Sequence, residues 1–171
     1  IMLPNRIRVL WIEDEARYQL NELMGPLLYR RIYHLSLAEN ATEAMRLIRT
    51  TEHYDVIIVD MRIPPGEDPA WKMLYQDQGN DTSKARLGQY LIEWMLGQMN
   101  GHAEQFSVRP NWIQPQQIAV FSAEEPSGMD RIFKMGVKVY QPKDASYPDD
   151  ILVQLVGRVM NCKEEQDKRG T

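Results

Sequence analysis

Residues 54–66, "YDVIIVDMRIPPG", run an apolar, β-branched stretch into a bare acid, Asp60, and then into a proline-rich turn. A segment that is apolar at successive positions, rather than at alternate ones, reads as a strand buried on both faces. The same design recurs in "IRVLWI" (Ile7–Ile12), which stops at "EDE", and in "IAVFSA" (118–123). Two weaker runs, "YHLSLA" and "VKVYQP", complete a set of five. Between them lie stripes at three-and-four spacing: Leu20, Leu23, Met24 and Leu27, then Ala41, Ala44, Met45 and Ile48. Further stripes fall at Leu87, Tyr90, Leu91, Trp94 and Met95, at Met129, Ile132 and Phe133, and at Ile151, Leu152, Leu155 and Val159.

Buried strands alternating with amphipathic helices predict an α/β fold, because parallel strands need helical crossovers to return the chain. The expected architecture is a doubly wound, five-stranded parallel sheet in the flavodoxin-like order 2-1-3-4-5, with helices on both faces and an insertion after the third strand. Pro26 conflicts with the first stripe, since proline disfavours a helix interior by about 3 kcal/mol, and predicts a break near Gly25. Residues 66–86 and 100–117 exceed ordinary connection lengths. They read either as tolerated surface insertions or as a binding surface, because Trp71, Tyr75 and Trp112 are large for exposed loops. Residues 6–160 form the expected domain, and residues 161–171 a charged, frayed tail.

With 171 residues, 43% of them hydrophobic, the chain can bury the core of one domain. A formal charge of -4 with scattered basic residues gives no electrostatic support for direct nucleic-acid contact, and points to protein partners. The single cysteine, Cys162, cannot form an internal disulfide and fits a reducing, cytoplasmic setting. No apolar run approaches the roughly 20 residues that cross a bilayer, so no membrane partner is expected. His34, His53 and His102 lack metal-ligand spacing and receive no role.

Chemistry concentrates at the strand ends. The first strand stops at Glu13 and Asp14, the third at Asp60, the fourth at Ser122, and the fifth just before Lys143. In open parallel sheets ligands sit beyond the carboxyl ends of the strands, at the switch point that the assumed order places between the first and third strands. Each acid alone would pass for a helix cap or turn residue, and Lys143 alone for a solvated lysine. Together they describe an anionic pocket. Like charges about 4 Å apart repel by roughly 4 kcal/mol per pair at an effective dielectric near 20, so the acids require a cation. All-oxygen donors suit a hard divalent ion such as magnesium, which leaves coordination sites for water and a phosphate oxygen. Lys143 and Ser122 can hold further phosphate oxygens.

These residues resemble the receiver domain of two-component response regulators, over residues 6–160 apart from the insertion. "VLWIEDE" looks like the family's first strand with its paired acids, and "YDVIIVDMRIPPG" like its phosphoacceptor strand, with Pro64 four residues past the acid. "AVFSA" is similar to the strand bearing the hydroxyl residue, and "MGVKVYQPKD" to the segment carrying glycine, aromatic and lysine: Gly136, Tyr140 and Lys143.

The resemblance implies that Asp60 accepts a phosphoryl group from a phosphohistidine of a sensor histidine kinase or phosphotransfer protein. It implies that Asp14 binds Mg2+, with Asp60, that Glu13 assists, and that the backbone carbonyl of Arg62 is a further ligand. Lys143 and Ser122 would hold the phosphate, and Tyr140 would change rotamer as Ser122 moves inward, switching a surface for an unidentified downstream protein, with a homodimer as one form of output. Arg62 and Glu124, at the pocket mouth, would influence phosphate lifetime. Such a protein is no enzyme beyond its own phosphotransfer and dephosphorylation. Asp144 stands where the family has proline, and a non-proline cis bond is disfavoured by several kcal/mol, so a trans bond is expected there. Two other readings stay open: a phosphorylation-independent docking module that uses the insertion, and an aspartyl phosphatase or transferase. The last typically has an acid two residues after the nucleophile, where this chain has Arg62.

Overall fold

The computed structural model describes residues 5–144 and 146–170; Ala145, Thr171 at the end of the charged tail, and residues 1–4 lie outside the described residues. Strands β1 (Ile7–Ile12), β2 (Tyr33–Ala38), β3 (Val56–Val59), β4 (Ile118–Ser122) and β5 (Val139–Pro142) pair in parallel in the order β2-β1-β3-β4-β5. This is the expected flavodoxin-like sheet. Its register matches Ile12 with Val59, Val59 with Val120, and Ser122 with Pro142, so the strands end along one edge. Pro142 lacks a backbone N–H but lies on the edge strand β5, where a missing donor is tolerated.

Alternate strand residues feed two cores. Leu10, Ile12, Ile57, Val59, Ile118 and Val120 pack on one face against α2 (Ala41–Thr50), α3 (Pro69–Asp77), α5 (Leu87–Met95) and α6 (Asp130–Lys134). Val9, Trp11, Val56, Ile58, Ala119 and Phe121 pack on the other against α1 (Gly25–Tyr29) and α7 (Ile151–Arg169). The first crossover breaks where Pro26 demands it: a 3-10 turn, Asn21–Met24, precedes α1, and Pro26 occupies its first turn, where a missing donor does least harm. No cis peptide bond occurs among the described residues.

The structure corrects two expectations. Residues 66–86 are not an exposed aromatic loop: they form α3, capped by the Asp68 carboxylate on the Ala70 N–H, and α4 (Thr82–Ala85), capped by Asp81 on the Ser83 N–H. Trp71 is fully buried and packs at a tilt against Phe106 with ring centroids 4.6 Å apart, while Tyr75 and Trp112 are half-buried against the same core. These aromatics serve packing: α3 turns Trp71 and Tyr75 inward, and Trp112 packs on the same core from the second long segment. Residues 161–169 of the expected tail continue α7, their lysines, glutamates and glutamine being good helix formers with no glycine or proline among them.

The turn from β3 into α3 is tied to the amino end of α2. The Pro64 and Pro65 carbonyls accept the Ala41 and Thr42 N–H groups, at 3.0 and 3.1 Å, which α2 itself cannot satisfy. Gly66 makes this possible: it has φ 78°, and a Cβ there would lie 2.4 Å from Asn40 Oδ1. Because Trp71 is core rather than surface, Trp71→Ala should lower unfolding stability by about 3–5 kcal/mol, read as a shifted urea midpoint. A solvent-facing side chain would change it by about 0.5 kcal/mol or less.

Candidate functional site

The backbone ladders run past the strand ends and fix the polar residues that follow. Glu13 N–H donates to the Ala38 carbonyl at 2.9 Å, Asp60 N–H to Ile12 at 3.0 Å, and Lys143 N–H to Ser122 at 2.9 Å. Five residues far apart in the chain therefore meet at one edge. Carboxylate oxygens of Glu13, Asp14 and Asp60 lie within 4.8 Å of one another. The Lys143 ammonium donates to Glu13 and, at 3.0 Å, to Asp60 Oδ2. Ser122 Oγ donates to Asp60 Oδ1 at 2.7 Å and accepts the Met61 N–H at 3.2 Å, and the Arg62 N–H reaches Asp60 Oδ1 at 3.2 Å.

One ammonium does not neutralise three carboxylates. Glu13 is fully buried, and burial followed by the Asp60 charge pushes its carboxyl up to about 8, although Lys143 pulls the other way. Burial lowers the Lys143 affinity for its proton, but the Asp60 and Glu13 carboxylates outweigh it and hold the ammonium above its ordinary value. The pocket carries an excess of negative charge on oxygen donors alone, so the residues present fit a hard divalent cation.

No family model and no curated protein matches the sequence. Solved structures do match. The non-phosphorylated HemR receiver domain from Leptospira biflexa is 19% identical, with 90% of this chain and 94% of that one covered and a TM-score of 0.56. A CheY-like response regulator receiver domain protein from Methanospirillum hungatei JF-1 is 15% identical, with 94% and 99% covered and a TM-score of 0.57. A signal receiver domain from Vibrio parahaemolyticus is 16% identical, with 97% and 99% covered and a TM-score of 0.58. The chain has the fold of a response regulator receiver domain. At these identities the likeness is one of fold.

On this receiver fold the residues expected at the pocket mouth are an ion pair. Arg62 Nε donates to Glu124 Oε1 at 2.8 Å, and this bond, with the Asp60 and Asp81 charges adding, holds the guanidinium above its ordinary value. Tyr140 donates its hydroxyl to the Glu124 carbonyl; burial, then the charges of Asp144, Glu124 and Glu125, raise its phenol. The expected receiver residues Glu13, Asp14, Asp60, Ser122 and Lys143 thus form one cluster, and Arg62, Glu124 and Tyr140 a second group beside it.

Two residues escaped the sequence. Gly88, in the first turn of α5, lets that helix lie on the end of β3: a Cβ there would sit 2.1 Å from the Asp60 carbonyl oxygen, and its N–H donates to Met61 at 3.0 Å. A glycine inside a helical stripe was the available signal. Arg86 contacts Glu124 from the end of the insertion, and no local pattern marks it.

Gly88→Ala should therefore destabilise the protein by about 1–3 kcal/mol, measured by urea unfolding, because the rigid backbone of Asp60 cannot yield. The elevated Glu13 carboxyl sets a sign for pH. Its protonated form is favoured by folding, so that contribution is full below pH 4.5 and is lost as pH rises through about 8. In metal-free protein, urea stability should fall across that window. Glu13→Gln, a neutral isostere, should flatten the fall; an unchanged slope would mean that another group carries it.

Proposed function

We propose that this chain is the phosphoacceptor receiver of a two-component phosphorelay, with Asp60 as the residue phosphorylated. The observation that carries this reading is the position of the Asp60 carboxylate. It stands at a rigid strand end, bonded to Lys143 on one oxygen and to Ser122 on the other, among acids suited to a divalent ion. The donor is the phosphohistidine of a sensor histidine kinase or phosphotransfer protein. An Asp60 carboxylate oxygen attacks phosphorus in line, the P–N bond breaks, and its electron pair remains on the imidazole, leaving an aspartyl phosphate.

Asp14, Asp60, Glu13 and the Arg62 carbonyl are the residues that would hold Mg2+. When bound, the ion neutralises charge on the transferring phosphoryl oxygens. Lys143, moored to Glu13 and Asp60, follows the Asp60 oxygen into the product and holds a phosphate oxygen. Ser122 offers its hydroxyl to another. Tyr140, bonded to the loop that follows Ser122, links the position of that loop to the β4, β5 and α6 surface, where a downstream protein reads it. The chain catalyses only the gain and loss of its own phosphate. Its single thiol suits the cytoplasm. Among the described residues, no helix is long and apolar enough to cross a membrane.

The test is intact-protein mass spectrometry after incubation with magnesium and a small phosphodonor. Wild-type protein should gain one phosphate-sized mass and Asp60→Asn none. Lys143→Met should gain it about a hundredfold more slowly, the usual scale for losing one charge-stabilising donor. Equal mass gain by wild type and Asp60→Asn would place the phosphate elsewhere and end this reading.

A further inference from the structure

Residues 66–86 end on Arg86, which sits at φ 47°, a left-handed backbone that side chains other than glycine adopt uncommonly. Its side chain leaves the insertion and enters the loop after β4. Arg86 Nη2 donates to the Gly128 carbonyl at 2.5 Å, and Nε lies 3.7 Å from Glu124 Oε2. The Glu124 carboxylate is buried and also takes Arg62 Nε at 2.8 Å, so two guanidinium groups share it. The fit is close: a Cβ at Gly128 would lie 3.1 Å from Glu124 Oε2 and 3.5 Å from Arg86 Nη2.

Arg86 therefore meets the loop at two points, a hydrogen bond to the Gly128 backbone and a longer ion pair with the Glu124 side chain, while the Glu124 carbonyl takes the Tyr140 hydroxyl. Among the described residues the Arg62 guanidinium bonds Glu124 and not the Gly128 carbonyl, so Arg62 does not duplicate this contact. No Asp60 oxygen takes part in these contacts. Without Arg86 the Glu124 carboxylate would keep Arg62 as its partner while the Gly128 carbonyl would lose its guanidinium donor, so the loop would lose a tie with its charge still compensated.

We infer that Arg86 is a positioning residue by which the insertion clamps loop 123–128 inward, and with it Tyr140 through the Glu124 carbonyl, whatever Asp60 carries. The consequence for signalling rests on the phosphoacceptor reading; the clamp itself can be measured without any transfer. With the loop held beforehand, phosphate has little left to order, and the insertion sets the resting state of the switch. A receiver so clamped presents its output surface before the phosphate arrives, unless a partner draws Arg86 away.

Hydrogen exchange on the full chain tests this, with Arg86→Asn as the main variant, because asparagine tolerates a left-handed backbone and removes only the guanidinium. Amides of residues 123–128 should exchange about tenfold faster in Arg86→Asn than in wild type, at a similar unfolding midpoint. Glu124→Gln, which keeps the carbonyl for Tyr140, should give the same loosening, and Arg86→Lys an intermediate one. Phosphodonor with magnesium should change loop exchange by about twofold or less in wild type, and slow it toward the wild-type rate in Arg86→Asn. Unaltered loop exchange in both Arg86→Asn and Glu124→Gln overturns the clamp, as does a wild-type loop that phosphodonor slows as strongly as it does the variant's. If no variant takes up phosphate, the phosphoacceptor reading fails, and the comparison without phosphodonor still decides the clamp.

Discussion

The bond from the Lys143 ammonium to Glu13 and Asp60 is the interaction on which the site depends. It joins the ends of β1, β3 and β5, separated by 130 and 83 positions in sequence, and places a positive charge where buried acids would otherwise repel or protonate. The sheet order makes it possible, because β1 and β3 are neighbours and β4 alone separates β3 from β5. The same bond leaves a deficit. Burial, with the Asp60 charge added, keeps the Glu13 carboxyl elevated despite Lys143, and the clustered acid oxygens suit a hard cation.

A second layer of charge surrounds this one and has a different character. Arg62, Glu124 and Arg86 are paired with one another rather than with the acid cluster, and they link the turn after β3, the loop after β4 and the end of the insertion. The insertion reaches them on a firm footing. Its first turn is bound to the amino end of α2 through Pro64 and Pro65, and Trp71 anchors α3 in the core. Packing of an inserted helix thus becomes the means of placing one guanidinium beside the carboxyl edge of the sheet.

The sheet and its inner cluster were legible because each strand is an apolar run that stops at a polar residue, and parallel order carries those stops to one edge. Glu13, Asp14, Asp60, Ser122 and Lys143 all follow from that rule. Pro26 likewise marked the break before α1. The insertion also carries a local helix signal in its spacing. Trp71, Leu74 and Tyr75 stand at i, i+3 and i+4 behind an Asp68–Pro69 start, which is a helix signal rather than an exposed loop. Arg86 was beyond reach, since its significance lies in a tertiary contact with residues 124 and 128 that no local pattern encodes. Gly88 lies between these cases: the glycine was visible, its neighbour Asp60 was not.

Calorimetric titration of magnesium into the metal-free protein near neutral pH tests the excess of negative charge most directly. Saturable binding of one ion per chain, lost in Asp14→Asn, is the expected result. A protein that takes up no magnesium, or binds it equally well without the Asp14 carboxylate, would contradict the convergence of these acids into a single cation site.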